Sequence, residues 1–386
     1  MEDLSRFESI KPYSDNEAVE ALHYVANHPG VSTISSYFFP NESPEYLPNL
    51  LKSCKGVDDF QILVMSKIVQ WVLDHTAKTF SYDGINNIIN NGNGKFLALS
   101  NHRDIILDPA ITQLVLFKNG LPTTQIAVGD NLITNKFIES LIRSNRMIKV
   151  VRGISARELY LSSQMLSEYI RLNITSDRSS IWLAQRQGRT KDGLDTTEQG
   201  LLKMLDMSGK GDFEQNFKEL NIIPMSISYE IEPCDILKAR ELYISKRHKY
   251  VKQEGEDLNS ILTGIKQYKG NIHLNIGAPL TDAEINAAAQ CDKNDRYQWI
   301  RRCVNIRVIE GYKLFKNNYI AYDCLYPGRK YASMYTQEDY DWFYGYMNKQ
   351  LDTVEPELNR AELRHIFLDI YANPVKSKEI LADTMV

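Results

Sequence analysis

The stretch FLALSNHRDIILDP, residues 96–109, decides how the rest of the chain is read. An apolar run of strand length ends in Ser100 and Asn101, His102 follows at once, and aspartates stand at 104 and 108. A buried strand ending this way delivers an imidazole to the carboxyl rim of a sheet, with a carboxylate near enough to orient the ring and keep it basic near neutral pH. A loop histidine with acidic neighbours has the same local sequence, so the stretch alone leaves both readings open.

Outward from it, further apolar runs of strand length recur: QIAVG (125–129), IKVV (148–151), SIWLA (180–184), NIIPMSISY (221–229) and IHLNIG (272–277). Helical patterns lie between them at 105–118, 134–143, 156–172, 197–207 and 234–247. Strands without strict polar alternation, separated by helices, predict an α/β fold: a mostly parallel central sheet flanked by helices, with its ligand site at the carboxyl ends of the strands. Before this core the pattern is helical, and 60–80 (FQILVMSKIVQWVLDHTAKTF) reads as a helix packed on a core. Beyond residue 280 it is helical again. The expected organisation is therefore a helical N-terminal region (1–80), an α/β core (81–280) and a helical C-terminal region (281–386).

Composition narrows the function classes. With 43% hydrophobic and 24% charged residues the chain is globular, and a net charge of -4 without an aromatic-interleaved basic run gives no nucleic-acid platform. Five cysteines, at 54, 234, 291, 303 and 324, have neither C-x-x-C spacing nor even number, so no disulfide framework or zinc site is indicated. No metal is called for. No window approaches eighteen uninterrupted apolar residues, and the first residues lack the apolar core of a secretion signal, so a cytoplasmic chain without a membrane span is expected. NGNGKF (91–96) precedes a strand and reads as a turn, and no G-x-S-x-G elbow supports a serine hydrolase.

The polar residues after the strands share one character. IKVV is followed by Arg152, SIWLA by the loop QRQGRTKDG with Arg186, Gln187, Gly188, Arg189, Lys191 and Gly193, and the 221–229 run ends in Tyr229 before Glu230. Three cations within six residues, with glycines that let backbone approach a ligand, can clamp a phosphate. A solvated charged turn has the same composition.

In their order, these groups resemble the glycerolipid acyltransferase superfamily, which includes glycerol-3-phosphate and 1-acylglycerol-3-phosphate acyltransferases. The matching residues are Asn101-His102 with Asp108-Pro109, then Val150-Val151-Arg152, then Gln187-Gly188-Arg189, then Ile223-Pro224-Met225-Ser226-Ile227. The resemblance covers roughly 95–280. It departs in two places: five residues stand between His102 and Asp108 where the family has four, and Gln187 stands where the family has Glu.

The resemblance implies an O-acyltransferase of phospholipid biosynthesis. His102 would be the general base, oriented by Asp108 or by the nearer Asp104, the former being favoured because Asp-Pro-Ala opens a helix in related members. Arg103, Arg152, Arg186, Gln187, Gly188, Arg189 and Lys191 would bind the substrates. The donor would be acyl-CoA or acyl-carrier protein, used as a substrate with no separate cofactor, and the acceptor a phosphorylated glycerol or lysolipid. Peripheral association with the cytoplasmic membrane face is expected, through apolar helices such as 60–80 or the aromatic C-terminal helices. Acylation of another acceptor, such as a lysophospholipid or an amino-acid lipid, and a non-catalytic lipid-binding role are the alternatives.

Overall fold

Leu97, Ala98 and Leu99 are fully buried, and because successive strand side chains point to opposite faces they serve two cores. Leu97 and Leu99 join one with Ile148, Leu183 and Phe217, whereas Ala98 faces the other with Ile111, Trp182 and Ile223. A strand buried on both faces belongs at the centre of a parallel sheet. The computed structural model describes residues 4–92, 94–152 and 155–385, so Asn93 of the turn expected at 91–96 lies outside them.

The strands are β1 (Ala77–Asp83), β2 (Leu97–Ser100), β3 (Gln125–Gly129), β4 (Met147–Val150), β5 (Ile181–Ala184), β6 (Ile222–Tyr229) and β7 (Gly270–Ile276). They form one sheet in the order β1-β7-β6-β2-β5-β3-β4, parallel except where β7 runs antiparallel to β6. The fold is thus α/β with helices over a mostly parallel sheet. All six expected strands are present, and β2 lies between β5 and β6 with Ala98 opposite both Trp182 and Ile223.

β1 is the departure from the sequence reading. Segment 60–80 is a π-helical turn (Phe60–Met65), then a helix (Ser66–Thr76), then the first residues of an edge strand. The Thr76 carbonyl accepts from Lys269 N at 2.7 Å and its hydroxyl from Lys269 Nζ at 2.9 Å, which ends the helix against β7. The next residues, Lys78-Thr79-Phe80-Ser81-Tyr82, suit an extended edge better than a helix. The expected boundary at residue 80 therefore falls inside a strand.

Before β1, the helices Asp15–Ala26, Gly30–Phe38 and Tyr46–Ser53 pack Leu22, Val31 and Leu51 around Phe60 and Val64. After β7, the helix Asp295–Glu310 covers the sheet through Ile300, Val304 and Val308. The helices Lys316–Leu325, Gln337–Leu351 and Arg360–Met385 build another core with Asp235–Ser245, centred on Phe343, Phe367 and Tyr371. Among the described residues no helix is long and apolar enough to cross a membrane.

Candidate active site

Asn101 closes the end of β2. Its side-chain oxygen accepts from Ile227 N at 2.8 Å and its amide nitrogen donates to Ile227 O at 3.1 Å, so it acts as one more rung of the ladder to β6. With the backbone held there, His102 turns out of the sheet. Its ring is mostly buried, stands edge-on to Trp182 at 5.7 Å, and places Nδ1 3.0 Å from Asp108 Oδ2.

Asp108 is the second residue of the helix Leu107–Lys118, where a carboxylate is favoured by the helix dipole. It is buried, and besides His102 it accepts from Arg103 N at 2.5 Å, Asp104 N at 2.9 Å and Tyr229 Oη at 2.8 Å. Burial first, then the charges of Asp108 and Asp104, hold the Tyr229 phenol well above its ordinary range, so it remains a donor. With Nδ1–H donating to a carboxylate fixed from four sides, the neutral imidazole carries its lone pair on Nε2, the tautomer a general base needs.

Asp104 is thereby excluded as the orienting group. Its Oδ1 instead accepts from Ile106 N at 2.9 Å and Leu107 N at 2.8 Å, which starts the helix that carries Asp108. Burial, and after it the Asp108 charge, push its carboxyl up, and its Oδ2 is buried without a hydrogen bond among the described residues.

Arg103 is placed otherwise than expected. Its guanidinium is buried and donates to Asp195 Oδ2 through Nε at 3.0 Å and Nη2 at 2.6 Å, and to Glu232 Oε2 through Nη1 at 3.3 Å. Lys238, equally buried, donates to Glu232 Oε1 at 2.6 Å and to the Arg103 carbonyl at 2.7 Å. Asn101, Thr190 and Tyr312 complete the shell of Asp195. Two cations thus balance two carboxylates in a closed network that fastens loop 185–195 beneath the His102 turn, and Thr190 N donates to the His102 carbonyl at 2.7 Å. Arg103 is part of the frame and does not line the cavity beside His102.

On the other side of His102 lies a cavity of about 400 Å³, within the range of small-molecule sites. It runs between the sheet and the N-terminal helices, and most of its wall is aliphatic, including Val31, Leu51, Ile105 and Leu114. Its charged lining is Arg152, Arg189, Lys252 and Asp257, and His102 lines it as well. Arg152 follows β4 and lies across the end of β3. A Cβ on Gly129 would come within 2.7 Å of its guanidinium, so a side chain there would displace the arginine from this position.

Of the residues expected to bind substrate, the cavity brings together Arg152, Gly188 and Arg189. It does not include Arg186, Gln187 or Lys191. Gln187 is exposed, and Lys191 is paired with Glu241. Gly193 has φ +78° and would place a Cβ 2.2 Å from the Ile370 carbonyl, so its close approach is to the helix Arg360–Met385 and not to a ligand. Lys252 enters the site from a loop, and Asp257 from the start of the helix Glu256–Lys266 that follows it, far along the chain in a stretch that carries no motif. Compared with known families and curated proteins, the chain matches no family model and no curated sequence.

Proposed function

We propose that the chain is an O-acyltransferase that moves a fatty acyl group from acyl-CoA or acyl-carrier protein to a hydroxyl of glycerol 3-phosphate or 1-acylglycerol 3-phosphate in phospholipid synthesis. The observation that carries the reading is the meeting of an oriented imidazole, a cationic cluster and an aliphatic cavity in one site. The cavity suits an acyl chain, and Arg152, Arg189 and Lys252 suit an acceptor phosphate.

In the reaction, His102 Nε2 removes the acceptor's hydroxyl proton as its oxygen attacks the thioester carbonyl carbon. Asp108 stabilises the imidazolium so formed, and no acyl-enzyme arises. The tetrahedral intermediate then expels the thiolate, which receives the proton from His102, leaving an ester and a free thiol. Holding the phosphate beside the base converts the encounter into a positioned one.

The test is a screen of acceptors against a radiolabelled acyl thioester. Label is expected in a product of glycerol 3-phosphate or 1-acylglycerol 3-phosphate. Transfer to an amino-acid lipid alone would keep the chemistry and change the acceptor, and no transfer to any hydroxyl lipid would favour a lipid-binding role.

A lipid product calls for contact with the cytoplasmic face of the membrane. Segment 60–80, read from the sequence as packed on a core and also as a candidate for membrane contact, buries Phe60, Val64, Val72 and Leu73. The proposed contact is the rim near Lys252, where Val251, Leu258 and Leu262 are 68%, 57% and 44% exposed beside exposed Lys246 and Lys249. Such a mixture suits an anionic bilayer surface. The protein is expected to float with anionic vesicles at low salt, and Val251→Asp with Leu258→Asp to leave it in the soluble fraction. Flotation equal to the parent's would refute this surface.

A further inference from the structure

The cationic cluster already holds an anion of its own. Asp257, in the first turn of the helix Glu256–Lys266, accepts from Lys252 Nζ at 2.5 Å on one oxygen and from Asn131 Nδ2 at 3.0 Å on the other. Arg152 and Arg189 line the same cavity and both lie close enough to feel its charge. Burial raises the Asp257 carboxyl, and Lys252, Asn131 and Arg189 outweigh that effect, so it is held below its usual range and stays ionised at neutral pH.

One carboxylate cannot satisfy this set of donors. Two guanidiniums, an ammonium and an amide offer more N–H groups than two oxygens accept, even with Asp130 and Glu198 near Arg152 and with Cys234 and Asp104 near Arg189. A phosphomonoester has three terminal oxygens and a charge of about -1.5 to -2, so it answers both the spare donors and the three cations that line the cavity against one carboxylate. The loop that bears Lys252 and leads to Asp257 is exposed from Lys246 to Lys249 and from Val251 to Gly255. Asp257 stands at the start of the helix behind this loop, next to exposed Leu258 and Asn259, so a turn of its side chain withdraws the carboxylate without disturbing a core.

We propose that Asp257 is a built-in place-holder for the acceptor's phosphate, occupying the anion site when it is empty and giving way when a phosphomonoester binds. This deepens the acyltransferase reading, since it takes the cluster to be the acceptor's anion site. It makes Asp257 a determinant of acceptor affinity: the residue keeps the cations from repelling one another in the empty site and sets a threshold that a weakly charged ligand does not cross.

Calorimetric titration of the whole protein with inorganic phosphate tests it, with glycerol 3-phosphate and a short-chain lysophosphatidate as parallel arms to show which headgroup source is preferred. Asp257→Asn is expected to bind phosphate on the order of tenfold more tightly than the parent, as loss of one like charge a few ångströms away in a half-buried site predicts. Asp257→Ser, which also removes the charge, should follow it, and thermal unfolding checks that both variants are folded. Arg189→Ala is expected to weaken binding in the parent and in the Asp257→Asn background.

If the parent binds phosphate and loses it on Arg189→Ala, but the Asp257 variants bind no more tightly or more weakly, the place-holder is refuted. Asp257 then serves to position Lys252, and the anion site stands. If neither parent nor variants bind any of the three probes, the anion site and the place-holder fall together.

Discussion

Replacing His102 by alanine is expected to lower kcat by about 10²- to 10⁴-fold, the contribution of a positioned general base, with little change in the KM for the phosphorylated acceptor. The split follows from the site's division of labour. In the proposed reaction His102 touches the reacting hydroxyl, whereas Arg152 and Arg189 hold charge that is the same in the ground and transition states. Arg189→Ala should therefore act chiefly on KM. Asp108→Asn tests the pair from the other side: an amide cannot stabilise the imidazolium, and four donors now converge on a group with one good acceptor oxygen. A loss of kcat approaching that of His102→Ala is expected, measured by steady-state transfer of label with the best acceptor of the screen. Transferase activity of parental size in His102→Ala would remove the imidazole from the chemistry.

The contrast between His102 and Arg103 shows how far the sequence could be read. Strand β2 and its ending were legible, because four buried residues followed by polar ones leave few alternatives in a chain whose helices and apolar runs alternate. That two neighbours on the same turn point into different surroundings was not legible. His102 joins the cavity, while Arg103 goes to Asp195 and Glu232, which lie 92 and 129 residues further on. Buried charges find their partners through the topology, and local spacing carries no trace of the pairing. The choice of Asp108 over Asp104 was legible in part, since a carboxylate in the first helical turn has donors on its near side whatever the distant structure. Lys252 and Asp257 were not, because a charged pair spanning a polar loop and the helix start behind it looks the same whether it rims a cavity or faces water. β1 was missed for a related reason: an edge strand half exposed to solvent shows little apolar signal, and it follows without a break from a helix that shows a strong one.

The buried frame beneath the site should dominate stability. Arg103→Leu is expected to cost about 3–5 kcal/mol, because it leaves Asp195 and Glu232 ionised and short of a partner in a closed interior, and Lys238 can compensate only Glu232. Urea unfolding followed by circular dichroism measures this, and a loss below about 1 kcal/mol, the level of a surface pair, would mean that water reaches the network. The pH dependence supplies a second check. Burial raises the Asp195 carboxyl, yet Arg103 and the hydrogen bonds from Asn101, Thr190 and Tyr312 overcome it, so its folded pKa lies below its unfolded one. A depressed acid contributes stability that is fully present above the unfolded value, about 3.9, and is lost as pH falls through the folded value. The parent should therefore lose this part of its stability only on strong acidification. In Arg103→Leu the largest force lowering the Asp195 pKa is gone, burial prevails, and the sign reverses: the variant should gain stability relative to the parent as the pH is lowered from neutral and Asp195 takes up a proton. Removing one cation and one carboxylate together, by Arg103→Leu with Asp195→Asn, should recover part of the loss at neutral pH, since Glu232 keeps Lys238 and a buried pair costs most when only half of it is present. Such recovery would separate the role of these charges in holding the His102 turn from any role in binding substrate, because the cavity's own cations, Arg152, Arg189 and Lys252, are untouched in every one of these variants.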